Sequence, residues 1–361
     1  MSVFIGLMSG TSADGMDAAL VQFDDSGSMH LIDALCLPYS NALRHNLKYL
    51  ATAEKVAIDS LMMCEKTVSL LAAEACNQLL QRNQINASSV QAIGCHGHTI
   101  RHKPQPDGYS WQINDPSLIA EKTGIPCIAD FRRRDIAAGG EGAPLVPAFH
   151  QYCVNQHPSD CDVMLLNLGG IANLTVLGSS LLGFDTGPGN ALMDDWCHRH
   201  WQQAYDDEGK LARQGRIQHD LLKQWMSHPY FQQRPPKSTG RELFSLELLL
   251  IPDHYSTLDI LATLAEFTAM SVAQAIQQHG HPDGMLYVCG GGVDNNYLMQ
   301  RLQVLLPNHS IASSQAMGIH PHWMEAMAFA WLAKQRVDNQ FGNASSVTGA
   351  QGGRVLGGWY A

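Results

Sequence analysis

Residues 3–23 read VFIGLMSGTSADGMDAALVQF and predict a β-hairpin. The apolar runs at 3–8 and 16–23 have the composition of strands, and the Asp14-Gly15 pair between them is a strong turn signal. The connection is rich in glycine and hydroxyl groups, so it offers hydrogen-bond donors between two buried strands. The chain therefore opens with a strand, a polar turn and a second strand.

Helical and strand patterns alternate in the sequence that follows. Apolar residues between Asp59 and Arg82 recur at helical spacing. Short β-like runs come next, at 90–95 and 125–129, and a capped helix over 115–122 is predicted between them. Strands that alternate with helices in this way predict a mixed sheet.

The same pattern starts again after the polar, glycine-rich stretch 131–142, although no sequence repeat is visible. A second strand, turn and strand have the same architecture as the first hairpin. The elements predicted there are a helix over 144–153, strands over 163–168 and 172–177, a helix after residues 184–190, a helix over 258–278, a strand over 285–289 and a final helix over about 322–336. Residues 206–240 are polar and predict an exposed excursion, and the last dozen residues predict a loop that docks.

Length and composition define the broad class of protein. The 361 residues suffice for about two domains, and 45% apolar against 16% charged residues is typical of a globular enzyme. The 33 acidic and 23 basic residues leave a net charge of −10, which argues against binding to nucleic acid or to anionic lipid. An anionic ligand must therefore be bound by local donors.

The cysteines and the apolar stretches indicate in which cellular compartment the protein is expected. Nine cysteines without a CxxC pair predict free thiols in a reducing compartment, and neither a disulfide framework nor a zinc site. The amino terminus lacks the basic flank and apolar core of a signal peptide, so we expect a cytoplasmic protein. The charge-free stretch 163–184 is long enough to span a bilayer, but its glycines, asparagines and two β-rich runs favour two buried strands.

Four polar or glycine-rich turns each follow an apolar strand, at residues 9–15, 167–173, 184–190 and 289–296. Glycine lets backbone N–H groups approach a ligand, and the hydroxyls of Thr11 and Ser12 add donors, as a phosphate site requires. One such turn alone is more often a simple turn. No turn has the lysine of a P-loop or the GxGxxG of a dinucleotide site. Together the four turns predict a nucleotide site built from β-hairpins in two related lobes.

A resemblance to a known family is carried by six blocks, in the order MSGTSADGMD, CHGHTIRHKP, WQINDPSLIAEKTGIPCIADFRRRDIAAGGEGAPL, NLGGIANLT, FDTGPGNALMD and CGGGVDNNYLM. Together they resemble the anhydro-N-acetylmuramic acid kinases of bacterial cell-wall recycling over nearly the whole chain. The resemblance implies an α/β, two-lobed actin-like ATPase (ribonuclease H-like) fold with mixed sheets and an interdomain cleft. We expect an N-terminal lobe over 1–130, a C-terminal lobe over 131–344, and a tail, about 345–361, that docks on the first lobe.

The resemblance also implies a reaction: ATP-dependent phosphorylation of 1,6-anhydro-N-acetylmuramic acid at O6, with hydrolytic opening of the 1,6-anhydro ring. The product is N-acetylmuramate 6-phosphate, in peptidoglycan recycling. ATP and Mg²⁺ are the implied cofactors, a small-molecule sugar is the implied partner, and a homodimer is the implied assembly. Two other classes compete. A nucleotide-switch protein of this fold would turn over ATP without sugar, and a glycosidase would have no need of phosphate-like turns.

Asp185 is the candidate catalytic residue, because it follows the uncharged strand region inside the FDTGPGN block. O6 of an anhydro sugar has no proton to lose, so a base must act on water instead. Water then attacks C1, the C1–O6 bond breaks, and O6 takes the γ-phosphoryl group. The alternative role for Asp185 is to cap the helix that begins near Asn190, but five residues of separation, with a proline between them, disfavour it.

The resemblance assigns the nucleotide contacts block by block. The first phosphate loop matches residues 10–17, the second matches residues 167–173, and the loop beside the adenosine matches residues 290–295. The implied ATP-binding residues are Gly10, Thr11, Ser12, Ala13, Asp14, Gly15, Met16, Asp17, Asn167, Gly169, Gly170, Asn173, Gly290, Gly291, Gly292 and Asn295.

The ligands of Mg²⁺ are not fixed by this pattern. Proteins of the wider fold class usually have an acidic residue that orients the metal at the start of the first loop, and here the sequence has Gly-Leu-Met at that place. Magnesium is still expected, because the phosphates of ATP need charge neutralisation. The candidate protein contacts are Asp14, Asp17 and Asp185.

The segment DFRRRD, residues 130–135, is the densest basic cluster in this acidic chain. Guanidinium groups suit the lactyl carboxylate of muramic acid, and ion pairing with neighbouring acids is the alternative. Of the nearby histidines, His98 is expected to bind the sugar and His102 to lie at the surface. Glu325 is expected to cap the final helix, and the alternative is that it reaches the cleft. The implied substrate-binding residues are His98, Asp130, Arg132 and Arg134.

Overall fold

The computed structural model describes residues 1–157, 161–178, 181–240 and 243–361. Within these ranges the chain forms two compact units. The first unit comprises Met1–Gln156 and Trp323–Ala361, and the second comprises His157–His322.

Strands and helices alternate along the described chain. The strands are β1 (Ser2–Ser9), β2 (Gly15–Phe23), β3 (Met29–Pro38), β4 (Val90–Lys103), β5 (Tyr109–Ile113), β6 (Cys127–Ala129), β7 (Val163–Leu168), β8 (Ile171–Val176), β9 (Leu182–Pro188), β10 (Gly284–Cys289), β11 (His309–Ser313) and β12 (Gly358–Tyr360). The α-helices are α1 (Asn41–Thr52), α2 (Ile58–Asn83), α3 (Pro116–Thr123), α4 (Arg133–Ala137), α5 (Val146–Gln156), α6 (Ala191–Trp201), α7 (His219–Met226), α8 (Thr257–His279), α9 (Asn296–Leu305), α10 (Met324–Val337) and α11 (Ser345–Thr348).

The sheet of the first unit has the strand order β12-β6-β4-β1-β2-β3, with β5 paired to β4. Strands β1, β2 and β3 are antiparallel to one another, whereas β4 is parallel to β1 and β6 is parallel to β4. The hairpin predicted from residues 3–23 is confirmed as β1 and β2, with Met8 opposite Asp17.

The sheet of the second unit repeats this arrangement, in the order β11-β10-β7-β8-β9. Strands β7, β8 and β9 are antiparallel, and β10 and β11 run parallel to β7. Three antiparallel strands followed by two parallel ones is the topology of the ribonuclease H-like fold. Its occurrence in both units confirms the predicted actin-like class, and the described part of the charge-free stretch 163–184 forms strands of this sheet.

Helix α10 returns to the first unit and packs directly on the centre of its sheet, which requires two glycines. A Cβ atom on Gly6 of β1 would lie 1.8 Å from the carbonyl oxygen of Ala326. A Cβ atom on Gly94 of β4 would lie 2.0 Å from that of Phe329. Residues without a side chain therefore set the distance between helix and sheet.

Helix α8 is the centre of the second unit. Its 23 residues are long and apolar enough to span a membrane, but 83% of its most apolar window is buried inside the protein. Side chains such as Leu261, Leu264 and Phe267 belong to the hydrophobic core of this unit. A helix that is apolar all round is what burial in a core produces, and in the described residues it is the single helix of this kind.

The unit boundaries differ from those expected at 130/131 and 344/345. The chain passes between units at 156/157 and 322/323, because α5 and α10 pack within the first unit. The tail also lies in this unit, where β12 pairs with β6. The stretch 131–142, which looked like a connection between lobes, is therefore inside the first unit.

Two local predictions are wrong. Residues 206–240 are not an exposed excursion: Leu221, Leu222 and Trp225 of α7 are buried in the core of the second unit. They are spaced at helical intervals within a stretch whose overall composition is polar, so composition concealed them. The residues FDTGP also form part of a strand, β9, before the predicted helix begins, since glycine and proline there suit a sheet edge as well as a turn.

Candidate active site

Three of the four predicted turns lie together in the second unit. The turn between β7 and β8 accepts hydrogen bonds from the turn after β9: Gly189 N–H donates to the carbonyl of Gly170 at 3.0 Å, and Asn190 N–H donates to that of Gly169 at 2.8 Å. The side-chain Nδ2 of Asn190 donates to the carbonyl of Leu168 at 2.8 Å. Asn190 thus joins the two turns, a role that the sequence did not reveal.

The third turn follows β10 and approaches the first so closely that only glycine fits. Gly290 has a φ of +81°, and a Cβ atom there would lie 2.5 Å from Asn167 Oδ1 and 2.7 Å from the carbonyl oxygen of Leu168. A Cβ atom on Gly292 would lie 2.5 Å from the Cβ of Leu168. The predicted residues Asn167, Gly290 and Gly292 are therefore neighbours, and the two glycines leave no room for a side chain of their own at this contact.

A cavity of about 750 Å³ adjoins these turns. Its volume lies in the range of small-molecule sites. The predicted residues Gly291 and Asn295 line it, and Asn295 also accepts a hydrogen bond from the N–H of Leu298 at 3.0 Å, as the N-cap of α9. Four further lining residues belong to the predicted turns without having been named as contacts: Asn190, Val293, Asp294 and Asn296. The others were not predicted: Met193, Asp194, Tyr205, Asp206, Asp207, Glu208 and His322.

Carboxylates dominate one side of this cavity. Both carboxylate oxygens of Asp206 already accept hydrogen bonds within the protein, from the N–H groups of Leu211 and Ala212 at 2.8 and 2.9 Å. Glu208 has a φ of +54°, an uncommon conformation for a residue with a side chain. Carboxylates accept hydrogen bonds from hydroxyl and amino groups and repel phosphate, so they suit the nucleoside end of a nucleotide and leave its phosphates for the glycine turns.

Asp185 lies on β9 and is held by hydrogen bonds from a neighbouring segment. The N–H of Thr239 donates to Asp185 Oδ2 at 2.8 Å, and the N–H of Asp185 donates to the carbonyl of Lys237 at 3.1 Å. The hydroxyl of Tyr230 donates to the carbonyl of Asp185 at 2.7 Å. The N-cap of α6 is Asn190 and not Asp185, so the capping alternative is wrong.

Lys237 places a positive charge near Asp185. Burial lowers the pKa of Lys237, and the carboxylate of Asp185 acts in the opposite direction. The ammonium group lies 4.5 Å from the centre of the Tyr230 ring, and it donates to the carbonyl of Tyr230 at 3.2 Å. These contacts fix the segment that carries the donors to Asp185.

The first turn, between β1 and β2, belongs to the first unit. Thr11 is exposed and Ser12 partly so, whereas Ala13 and Met16 are buried, so the side chain of Met16 packs in the core. The turn closes with the N–H of Ala13 donating to the carbonyl of Gly10 at 3.0 Å. Gly15 and Asp17 already belong to β2.

A buried hydrogen-bonded chain supports this turn. The hydroxyl of Tyr39 donates to Ser9 Oγ at 2.9 Å, and Ser9 Oγ lies 2.9 Å from Nδ1 of His98. The N–H of Tyr39 donates to the carbonyl of Asp14 at 2.9 Å, so one tyrosine holds both ends of the turn. Burial lowers the pKa of His98 to about 4, which makes this histidine neutral at pH 7.

The three arginines of the DFRRRD segment have different surroundings. Arg132 Nη2 lies 2.8 Å from His96 Nε2, and Nη1 donates to the carbonyl of Gly142 at 2.8 Å. Burial lowers the pKa of Arg132 to about 10. Arg134 is exposed. Arg133 lies 3.6 Å from the carboxylate of Asp130, whose pKa is raised by burial.

Asp135 is a structural residue that the sequence analysis missed. Its buried carboxylate accepts hydrogen bonds from the N–H of Gly142 at 2.8 Å, Asn343 Nδ2 at 2.6 Å and the hydroxyl of Thr348 at 2.8 Å. It therefore ties the arginine segment to the carboxy-terminal residues. Asn343 and Thr348 are more than 200 residues away in sequence, so no local signal could have found them.

One further expectation in the first unit is wrong, and another is confirmed. Glu325 does not cap α10, whose N-cap is Trp323 and has no side-chain cap bond. Burial raises the pKa of Glu325, the charge of Asp17 adds to this, and Arg132 opposes it. His102 is exposed, as expected, and its Nδ1 lies 2.9 Å from Ser110 Oγ.

The described residues contain no group of three His, Cys, Asp or Glu side chains arranged for a metal ion. Of the three predicted Mg²⁺ contacts, Asp14 is ion-paired with Arg44. Asp17 and Asp185 lie in different units. This sparse set fits Mg²⁺ that is held mainly by phosphates and water, which needs only one or two carboxylates.

Both units contain a ribonuclease H-like sheet, and in the second unit three glycine turns lie beside a nucleoside-sized cavity. These features place the protein in the actin-like class of nucleotide-using enzymes. The family model "Anhydro-N-acetylmuramic acid kinase" matches residues 2–361. The chain belongs to the anhydro-N-acetylmuramic acid kinase family, which confirms the resemblance read from the motifs, and it is an ATP-dependent sugar kinase.

The chain is similar to known proteins of this family and, in fold, to a solved sugar kinase. A protein of that name from Coxiella burnetii (strain Dugway 5J108-111) is 45% identical over 99% of this chain and 97% of its own length. One from Hahella chejuensis is 47% identical over 99% and 98%. A ROK family glucokinase from Streptomyces griseus, solved with glucose and AMPPNP, aligns over 92% of this chain and 100% of its own, with 12% identity and a TM-score of 0.41.

Proposed function

We propose that the protein phosphorylates 1,6-anhydro-N-acetylmuramic acid at O6 with ATP and, in the same reaction, opens the 1,6-anhydro ring with water. The product is N-acetylmuramate 6-phosphate, formed during peptidoglycan recycling in the cytoplasm. The observation that carries the proposal is the hydrogen-bonded placement of Asp185 on β9, within a chain that matches the kinase family from residue 2 to residue 361.

Asp185 serves as the general base. The anhydro bridge leaves O6 without a proton, so the carboxylate takes its proton from water, and the water oxygen forms a bond to C1. The C1–O6 electron pair passes to O6, which bonds to the γ-phosphorus while ADP leaves. The N–H of Thr239 orients one carboxylate oxygen, and the constrained segment that bears Lys237 keeps this geometry during turnover.

ATP binds through the glycine turns and the cavity of the second unit. Asn167, Gly169, Gly170 and Asn173 form or flank the turn between β7 and β8, and backbone N–H groups there are donors for phosphate oxygens. Gly290, Gly291, Gly292 and Asn295 contact the adenosine side, where the carboxylate-lined cavity accepts hydrogen bonds from ribose and base. In the first unit, residues 10–17 supply the first phosphate loop, with Gly10, Thr11 and Ser12 as its accessible donors.

Mg²⁺ accompanies ATP and neutralises phosphate charge when it is bound. Asp17 and Asp185 are the residues that would hold it directly or through water. Asp14 is less suited, because Arg44 already compensates its charge.

Residues of the first unit recognise the sugar. We assign contacts to His98, Asp130, Arg132 and Arg134. His98 is neutral and anchored through Nδ1, so it serves as a hydrogen-bonding group and not as a charge. Arg134 is exposed and available to bind the lactyl carboxylate. Three nitrogens of Arg132 already form hydrogen bonds to His96 and Gly142.

We further propose a homodimer that pairs through the outer face of α2, with no nucleic-acid or membrane partner. Four exposed apolar side chains lie on this face: Ile58, Met62, Met63 and Leu70. Asp59 and Lys66 are exposed on the same face. If two copies of the helix pack antiparallel about an axis between Met62 and Met63, Asp59 of each copy faces Lys66 of the other.

The area of this face suits a modest dimer interface. A 26-residue helix is about 39 Å long and, at a width of about 10–12 Å, offers roughly 400 Å² per copy. Exposed side chains of the neighbouring α1, such as Tyr49, extend the surface towards the roughly 600 Å² per partner at the low end of stable interfaces.

The reaction is tested by ATP turnover with and without 1,6-anhydro-N-acetylmuramic acid, with mass spectrometry of the product. We expect sugar-dependent ADP formation and one phosphorylated, ring-opened product. Asp185→Asn should keep both ligands bound and lower kcat by about 10²–10⁴-fold. ATP turnover that is indifferent to the sugar would instead indicate a nucleotide-switch protein.

A further inference from the structure

Thr239 carries a buried hydroxyl on the segment that binds Asp185. Its backbone N–H donates to Asp185 Oδ2 at 2.8 Å. Its Oγ1 atom is buried and, among the described residues, has no hydrogen-bond partner. Buried hydroxyls in native proteins are nearly always hydrogen-bonded, because an unpaired one has lost its bonds to water without replacement. An unpaired hydroxyl at this position therefore points to a ligand that completes it.

The backbone that carries this hydroxyl is held by bonds to Asp185 itself. Residues 237–239 run beside β9, bonded at one end by the carbonyl of Lys237 and at the other by the N–H of Thr239. Tyr230 binds the carbonyl of Asp185 and also accepts from Lys237 Nζ. The backbone of Thr239, from which the hydroxyl extends, and the Asp185 carboxylate are therefore held together.

We propose that Thr239 is a second catalytic residue, whose Oγ1 accepts a hydrogen bond from the water that Asp185 deprotonates. This inference rests on the proposed function. The water has two protons: one passes to Asp185 and the other stays on the oxygen, bonded to Thr239. Because one proton points to Asp185 and the other to Thr239, a lone pair of the water oxygen is free to form the bond to C1.

The step balances. The water lone pair forms the new C1–O bond, and the C1–O6 pair passes to O6. O6 then bonds to the γ-phosphorus, and the bond between phosphorus and the bridging oxygen breaks to release ADP. Asp185 holds the proton lost by water. The Thr239 hydroxyl keeps its own proton throughout, so its part is orientation.

Thr239→Val is the decisive variant, since valine has nearly the same shape, retains the backbone N–H and lacks the hydroxyl. We expect kcat to fall roughly tenfold, the effect of one hydrogen bond made to a reacting group. KM for sugar and for ATP should stay within about twofold, and Tm should be equal or higher because an unpaired buried hydroxyl has been removed. Thr239→Ser, which keeps the hydroxyl, should retain most of the wild-type kcat.

Ser238→Ala is the matched control, because Ser238 is the exposed neighbour in the same segment and should give wild-type kcat. In an Asp185→Asn background, Thr239→Val should cause less than a further twofold loss, since both residues act on one water. Wild-type kcat in Thr239→Val, or equal losses in the Val and Ser variants, would overturn the proposal. Absence of sugar-dependent turnover in the wild-type enzyme would instead overturn the proposed function itself.

Discussion

Gly290→Ala tests whether the close approach of the turns builds the nucleotide site. The new Cβ would lie 2.5 Å from Asn167 Oδ1 and 2.7 Å from the carbonyl oxygen of Leu168, both in the turn that we assign to phosphate. The φ of +81° adds strain for any residue with a side chain. Backbone strain of this kind costs about 1–3 kcal/mol, and the displacement of two neighbours adds to it.

We therefore expect a loss of about 3 kcal/mol in the free energy of unfolding of the second unit. For a unit of this size each kcal/mol lowers Tm by about 2–4 °C, so Tm should fall by roughly 6–12 °C. ATP affinity should fall at least tenfold, since Asn167 and Leu168 have to move. Differential scanning calorimetry and isothermal titration with ATP measure the two effects.

Gly291→Ala is the control at the next position. A Cβ atom there meets only Asn190 Nδ2, at 4.0 Å, and alanine reduces the freedom of the unfolded chain. Its Tm should be unchanged or slightly higher. Equal Tm losses at Gly290 and Gly291, or wild-type ATP affinity in Gly290→Ala, would refute the argument that contact between these turns shapes the site.

Three other predictions concern the first unit. Gly10→Val should weaken ATP binding at least tenfold in calorimetric titration while Tm stays within about 2 °C, because a Cβ there meets only Ser12 Oγ at 3.8 Å; unchanged affinity would remove this turn from the site. The free energy of unfolding should fall by up to about 3 kcal/mol as pH drops from 6.5 to 4, because unfolded His98 binds a proton that folded His98, with its pKa of about 4, does not. Denaturant titrations should show this slope reduced in His98→Asn and retained in His45→Asn, an exposed control on α1; equal slopes would contradict it. Asp59→Lys and Lys66→Asp should each weaken the homodimer in sedimentation experiments, and an equimolar mixture of the two should restore it as a heterodimer, whereas no recovery on mixing would exclude the proposed register.

Regular periodicity explains which elements could be predicted from the sequence. The hairpin β1–β2, the long helix α2 and the central helix α8 repeat apolar residues at the strand or helix period, and burial of one face preserves such patterns. Strand β9 was missed because FDTGP has the composition of a turn. Helix α7 was missed because its buried Leu221, Leu222 and Trp225 stand in a polar stretch.

The residues of the candidate site also fall into those that a local sequence pattern could predict and those that it could not. Glycine turns after strands are local signals, so Gly169, Gly290 and their neighbours could be proposed from the sequence. Contacts between residues that are far apart in the sequence could not be predicted in this way. Arg132 meets His96 from 36 residues away, and Thr239 reaches Asp185 from 54 residues away. Asp206, Asp207 and Glu208 of the cavity lining come from a segment with no motif of its own, so only the folded chain identifies them.

The origin of the oxygen atom at C1 tests the central claim most directly. The reaction is run in ¹⁸O-water with ATP and 1,6-anhydro-N-acetylmuramic acid, and the product is analysed by mass spectrometry before its anomeric oxygen exchanges. If Asp185 activates water against C1 while O6 attacks phosphorus, the heavy oxygen lies at C1 and none enters the phosphate. Heavy oxygen in the phosphate would mean that ATP is hydrolysed separately from ring opening, and would contradict the role assigned to Asp185.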